Sequence, residues 1–455
     1  MTFSIGTFQA GLQSMPATEA CLLGLSGGLD SVVLLHLLVQ LRNQGALDCK
    51  LRALHVNHGL HPLAIQWQQH CAALCQEWAV PLQIVQLDLT VPLRTGTGIE
   101  NAARNARYAA FSSQLGSKEV LLLAHHRDDQ IETMLLRLMR GAGPRGLAGM
   151  PQGRVLGRGS LYRPLLQFDR AELLAYAGQQ QLQWIEDPSN LVVQFDRNFC
   201  RQTILPLIET RWPGYRDSWS KSAALQSEAD MLLQQLAEAD FRGVRSATEN
   251  ELCLDGFNRL SKPRQRNLLK YWLVQMQLPE PGFNELQHLT EALIPAAVDS
   301  PASWQGAGFS IASYRNRLVV IRELAPIDRN SNLVWNPISQ PLLSLPQNGC
   351  LQARRSSGSV GDIRHALSVS GPLQVRYRMG GETLRLRDRP RKALKKILQE
   401  QGMPLWCRER LPLLYAENEL VCVPGVGTVD RRGSATSAEL LIIEWQQPDW
   451  APVTR

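Results

Sequence analysis

Cys21-Leu22-Leu23-Gly24-Leu25-Ser26-Gly27-Gly28-Leu29-Asp30-Ser31, running on through Val32 to Leu41, decides the fold. It opens with a short apolar run, passes through two adjacent glycines and continues as a helix-like apolar stretch from Ser31 to Leu41. This pattern predicts a strand, a glycine loop and a helix. Adjacent glycines let the backbone approach an anion without side-chain obstruction, and the following helix offers unpaired N–H groups and the positive end of its dipole. A phosphate-bearing nucleotide fits such a loop, although the glycines alone are also compatible with a plain turn. The pattern G-x-x-x-x-G-K-[ST] is missing, so no lysine follows to hold a γ-phosphate.

Working outward, short apolar runs alternate with amphipathic stretches from Cys21 to about Leu166: Leu51–Val56, Ile65–Trp78, Leu82–Leu87, Ile99–Leu115, Val120–Ala124 and Ile131–Met139. Alternation of this kind predicts an α/β fold, a doubly wound parallel sheet with helices on both faces. Ligands of such sheets bind beyond the carboxyl ends of the strands. That rule gathers Ser26–Ser31, the stretch from His55 through Asn57 to His58, and the stretch Ala124–Glu132 around one crevice. Further on, Ala223–Ala239 and Arg264–Leu278 carry apolar residues at helical spacing. The expected organisation is a catalytic domain over 1–218, a small helical domain over 219–335, a Ser-, Gly- and Pro-rich linker over 336–372 and a mixed α/β C-terminal domain over 373–455 that includes a basic helix, Arg391–Gln401.

The chain has 455 residues, a net charge of +7 and an isoelectric point near 9.0. Three domains and an attraction for polyanions follow from these values. The basic excess concentrates between Arg376 and Lys396, where Arg391, Lys392, Lys395 and Lys396 fall close together, either as a contact face for nucleic acid or as a solvated basic face. The nine cysteines form no C-x-x-C pair, which argues against a zinc or iron–sulfur site. No apolar run is long enough to cross a membrane, and the first fifteen residues lack the lysine or arginine that begins a signal peptide. A cytoplasmic protein is expected.

Two further stretches carry groups suited to chemistry. In His125-His126-Arg127-Asp128-Asp129-Gln130-Ile131-Glu132-Thr133, Asp129 and Glu132 are three apart and share a helix face. They could cap the helix, or hold magnesium or a substrate ammonium. In Ile99–Phe111, Glu100, Arg104 and Arg107 lie near one face, either as a salt-bridge ladder or with an arginine reaching the crevice.

The motifs together resemble the tRNA(Ile)-lysidine synthetase family of pyrophosphate-loop enzymes. They are Ser-Gly-Gly-Leu-Asp-Ser at 26–31, His-Val-Asn-His-Gly-Leu at 55–60, Ala-Arg-x-x-Arg-Tyr at 103–108, His-His-x-x-Asp-Gln-x-Glu-Thr at 125–133, Asp-Pro-Ser-Asn at 187–190, Arg-Asn-x-x-Arg at 197–201, and a C-terminal signature through Leu394-Lys395-Lys396 and Met403–Leu413. Leu405 and Cys407 depart from that signature. The resemblance implies a ligase that splits ATP into AMP and pyrophosphate and joins L-lysine to C2 of the wobble cytidine of a tRNA(Ile) with a CAU anticodon. It implies ATP binding by Ser26, Gly27, Gly28, Leu29, Asp30, Ser31, His55, Asn57 and His125, with Mg2+ on Asp30. Asp30, Arg107, Asp129 and Glu132 would be catalytic, and Asp129 and Glu132 would bind lysine. Arg197, Arg201, Arg391, Lys392, Lys395, Lys396 and Trp406 would contact tRNA. Oligomeric state stays open, with a homodimer as one option. Rival readings are another pyrophosphate-loop tRNA-modifying enzyme such as a thiolase, or a non-catalytic RNA-binding protein that holds ATP as a structural ligand.

Overall fold

The computed structural model describes residues 3–57, 59, 62–87, 99–188, 192–246, 248–293, 303–356, 366–386, 390–429 and 439–448, the side chains of 99–101, 292, 293 and 439 excepted. His58, Leu60, Ser189 and Asn190 of the quoted motifs lie outside the described residues. The chain divides into two compact units, Met1–Leu232 and Leu233–Arg455.

In the first unit a six-stranded sheet is built from β1 (Ala20–Gly24), β2 (Lys50–Asn57), β3 (Leu82–Gln86), β4 (Glu119–Leu122), β5 (Gly153–Leu156) and β6 (Gly159–Tyr162). The order is β3-β2-β1-β4-β6-β5, with every neighbouring pair parallel except the β5–β6 hairpin. Its helices are α1 (Ile5–Leu12), α2 (Leu29–Asn43), α3 (Ala64–Glu77), α4 (Ile99–Gln114), α5 (Arg127–Met139), α6 (Pro144–Leu147), α7 (Arg170–Gln179), α8 (Asp196–Phe199) and α9 (Leu205–Arg211), and the long α10 (Tyr215–Val244) begins in this unit and ends in the second.

Side chains alternate across a strand, and β1 shows how this builds two cores. Cys21 and Leu23 pack with Leu34, Leu37 and Leu38 of α2 and with Leu173 and Ala177 of α7. Leu22, between them, packs with Ala110 and Phe111 of α4 on the other face. Eleven of the fifteen residues of α2 are buried, which explains why its sequence is apolar all round rather than on one stripe. The doubly wound sheet expected from the sequence is therefore present.

The second unit differs from expectation in three places. Helices Leu254–Asn258 and Lys262–Gln275 are present, the latter with Pro263 in its first turn, but they share a core with an antiparallel sheet of Glu251–Cys253, Ser303–Gln305, Phe309–Tyr314 and Arg317–Arg322. Phe309, Ile311, Leu318 and Val320 reach that core by period-two alternation, a signal too short to compete with the helical runs around it. The second difference lies in 336–372, read as a linker. It supplies Leu342–Ser344, Cys350–Arg355 and Ala366–Val369 to a four-stranded sheet completed by Glu439–Gln446. These strands are short and separated by turn residues, so their composition resembles a connector although Leu351, Leu367 and Val369 are core. The basic helix is also shorter than expected, Leu394–Glu400, because Lys392–Ala393 pairs as a strand with Thr383–Leu384.

Candidate active site

The loop after β1 takes its shape from two hydroxyls. The Gly27 N–H donates to Ser31 Oγ at 3.1 Å, Ser31 Oγ donates back to the Gly28 carbonyl at 2.9 Å, and Ser26 Oγ lies 3.0 Å from Ser31 Oγ. Gly27 has φ +86°, and a Cβ there would fall 2.8 Å from Ile185 and 3.0 Å from Cys71, so only glycine fits. Gly28 caps α2 without any side-chain hydrogen bond, which leaves the first-turn amides to an external acceptor. Asp30 sits in that first turn. Its Oδ1 is buried with no hydrogen-bond partner, and burial pushes its carboxyl above the usual range.

His126, 1% exposed, joins this loop to the acidic helix. Its Nε2 lies 3.6 Å from Asp30 Oδ2 and 3.4 Å from Asp129 Oδ2, and its Nδ1 lies 3.6 Å from Asp128 Oδ2. The His126 backbone N–H also donates to Asp129 Oδ2 at 3.1 Å, the capping bond of α5. The sequence motif points to His125 rather than to His126. Its signal was its position, the last residue before a helix that begins at a strand tip.

Asp129 and Glu132 face a second pair at helical spacing, Arg197 and Arg201, four residues apart. Arg197 Nε donates to Glu132 Oε2 at 2.7 Å and its Nη2 to Asp129 Oδ1 at 2.9 Å. Arg201 Nε donates to Glu132 Oε1 at 2.6 Å and its Nη2 to Asp129 Oδ1 at 3.2 Å. Glu132 is fully buried in this network. Burial alone would raise the Asp129 carboxyl, but His126, Arg197 and Arg201 outweigh it and hold the group well below the ordinary carboxylate range. The turn Cys200–Ile204 is π-helical, and Pro206 follows within the first turn of α9, where its missing N–H is tolerated. Arg197 and Arg201, which the resemblance implies contact tRNA, spend donors on buried acids. The reason is electrostatic: buried carboxylates need paired cations.

The remaining residues fall in three groups. His55 and Asn57 are buried at the end of β2, His55 Nδ1 donating to the Leu25 carbonyl at 2.9 Å and Asn57 bonding Gln68 at 3.1 Å. Burial lowers the His55 imidazole below its usual value. His125 accepts from Arg163 Nε at 3.3 Å, and burial pushes it down to about 3, so it is neutral. Around it gather arginines the sequence did not single out: Arg163, also 3.5 Å from the Tyr108 hydroxyl, and Arg154, which with Arg104 stacks on the Tyr108 ring at 5.3 and 5.4 Å. Arg107 is exposed on α4.

In the C-terminal region Lys395 and Lys396 are exposed, as are Arg391 and Lys392, the latter paired with Glu400 at 2.9 Å. Trp406, expected to contact RNA, instead packs against Ala312, Val319 and Ile321 with its ring edge-on to Tyr314. An indole half-buried among aliphatic side chains serves packing.

Three domain families match the chain: a PP-loop domain over residues 5–208, a TilS substrate binding domain over 252–319 and a TilS substrate C-terminal domain over 373–445. Among curated proteins, a tRNA(Ile)-lysidine synthase of Pseudomonas aeruginosa is 42% identical over 89% of each chain. That of Pseudomonas syringae is 40% identical over 90% of this chain and 88% of its own, and that of Yersinia pseudotuberculosis 38% over 94% of each. With this identity across nearly all of its length, and the loop and acidic helix joined in one site, the chain belongs to the tRNA(Ile)-lysidine synthase family of ATP-using PP-loop enzymes.

Proposed function

We propose that this protein ligates L-lysine to C2 of the wobble cytidine in a CAU-anticodon tRNA(Ile), in the cytoplasm, through an adenylated tRNA. The observation that carries the reading is the chain of contacts from Asp30 through His126 to Asp129, and from Asp129 through Arg197 and Arg201 to Glu132, which supports a shared crevice for the phosphate loop and the acidic pair. In the first step the C2 oxygen attacks the α-phosphate of ATP and pyrophosphate leaves into the loop Ser26–Ser31. The uncapped amides of α2 offset the charge that accumulates there.

Asp30 suits Mg2+, because its buried, unpartnered Oδ1 is an oxygen ligand in need of a cation. Among the described residues no group of three or more His, Cys, Asp or Glu could hold a metal ion by itself. That is consistent with magnesium, which is usually held by one or two carboxylates together with substrate phosphates. When bound, the ion would neutralise the leaving pyrophosphate.

In the second step the ε-amine of lysine displaces AMP. The amine has a reference pKa of about 10.4 and must lose a proton before it attacks. Asp129 is held ionised by its neighbours and can bind the ammonium, exchanging contacts with Arg197 and Arg201 as it does so. The arginines help hold Asp129 charged, and Arg107, exposed on α4, is the residue assigned to the reacting phosphate. The exposed Arg391, Lys392, Lys395 and Lys396 offer a face for tRNA phosphates. A homodimer is proposed as the assembly, to be checked by light scattering.

The test is incubation with ATP, labelled lysine and total bacterial tRNA. Label in RNA at one cytidine, with pyrophosphate release that depends on tRNA, is expected. Tight ATP binding without turnover would favour the non-catalytic reading.

A further inference from the structure

Cys21 lies in β1, and Cys49 immediately precedes β2. The two strands pair in parallel with Ala20 opposite Lys50 and Cys21 opposite Leu51, and the Lys50 N–H donates to the Glu19 carbonyl at 3.1 Å. Both cysteines are thus held by a sheet rather than carried on loose loops. Their sulfurs are 3.1 Å apart, and both are free thiols. A disulfide needs about 2.05 Å, so closing the bond asks for roughly 1 Å of travel.

Exposure is unequal in a useful way. Cys21 is fully buried, whereas Cys49 is partly open to solvent. The hydrogen bond from Cys21 lowers the Cys49 thiol and raises that of Cys21, so the accessible sulfur is also the better source of thiolate. Neither residue takes part in the chemistry proposed above, and they sit at the opposite end of β1 from the phosphate loop.

From the paired sulfurs we propose that Cys21 and Cys49 form a reversible thiol–disulfide site, oxidised by low-molecular-weight disulfides of the glutathione class. The Cys49 thiolate attacks one sulfur of the oxidant, forming a mixed disulfide and releasing one thiolate. Cys21 then attacks the Cys49 sulfur, its proton passing to the second leaving thiolate. The balance is two protein thiols and one external disulfide giving one protein disulfide and two external thiols. The bond ties β1, which leads into Ser26–Ser31, to the entry of β2, which carries His55 and Asn57, and closes a loop that contains the whole of α2.

The experiment treats the native full-length protein with oxidised glutathione, alkylates it under denaturing conditions and maps its peptides by mass spectrometry. The expected result is a cross-linked Cys21–Cys49 peptide pair, a mass lower by about 2 Da, and a Tm raised by roughly 5 °C that dithiothreitol returns to its starting value. Cys21→Ser should trap the mixed disulfide on Cys49, and Cys49→Ser should leave Cys21 alkylatable only after denaturation. Should the buried serine prevent folding, the peptide map of the unsubstituted protein decides alone. A glutathione adduct that persists on Cys49 while Cys21 stays a thiol, or two unmodified thiols, would overturn the proposal.

Discussion

Two regions of this chain are rich in arginine and use it in opposite ways. At the strand tips, Arg197 and Arg201 direct their donors at Asp129 and Glu132, so each guanidinium answers a charge that burial has stripped of water. In the C-terminal signature no such pair of acids faces the arginines among the described residues. Arg408 donates to the Met403 carbonyl at 2.6 Å and to the Tyr314 hydroxyl at 3.3 Å, while Arg410 donates to the carbonyls of Gln347, at 2.8 Å, and Ala325. The first set holds Asp129 charged in the candidate site, and the second pins loops together. What separates them is the acceptor, carboxylate or carbonyl. The cations left for a polyanion are those with neither among the described residues, chiefly Lys395 and Lys396.

The largest effect that could break this contrast is at Asp30. Asp30→Ala should cut tRNA-dependent pyrophosphate release by about 10^3-fold, since it removes the proposed metal ligand from the leaving group. Release within tenfold of the parent would show that the loop works without it. Next comes Glu132→Gln, which leaves two guanidinium groups facing a neutral amide. Because both arginines keep about a third of their surface in water, the loss of stability is expected near 2 kcal/mol rather than the full cost of a buried orphan, read as a shift in the urea midpoint. The same variant should raise the lysine requirement more than the ATP requirement. An unchanged midpoint would mean that the network is decorative, and equal loss of both half-reactions would reject the division of roles.

How much of this was readable without coordinates depends on distance along the chain. The strand, loop and helix at 21–41 are local, so their pattern announced them, and the convergence of three strand tips followed from the general rule for parallel sheets. Asp129 and Glu132 were legible as a pair because three residues separate them. Their pairing with Arg197 and Arg201 was not, because it joins segments more than sixty residues apart and nothing in either motif names its partner. The same limit explains Trp406, whose packing against 312–321 is a tertiary fact, and the sheet hidden in 336–372, whose strands are completed by residues near the C-terminus.

Acid titration separates the contributions within the crevice. His125 is held neutral, with its folded value near 3 against about 6.5 when unfolded, so its contribution is complete above roughly pH 6.5 and declines as pH falls toward 3. The expected slope is about 1.4 kcal/mol per pH unit in that window, and His125→Gln should flatten it. Asp129, also depressed, contributes fully above roughly pH 4 and is lost only below that. Urea midpoints between pH 7 and 3 distinguish the two, and an unaltered slope between pH 6.5 and 4.5 in His125→Gln would remove the histidine from the account.

The smallest effect tests the other half of the contrast. Lys395→Ala and Lys396→Ala remove exposed charges that pair with no acid in any ion pair of the described residues, so each should change stability by less than about 0.5 kcal/mol. If these side chains meet tRNA phosphates, each loss should weaken binding most at low salt and reduce the slope of log affinity against log salt by roughly one. Arg408→Ala should behave in the reverse sense, lowering stability while leaving the slope as it was, because its donors are already committed to Met403 and Tyr314. Finding a salt slope in Arg408→Ala reduced as much as in the lysine variants would mean that acceptor type does not separate structural from RNA-facing cations in this molecule.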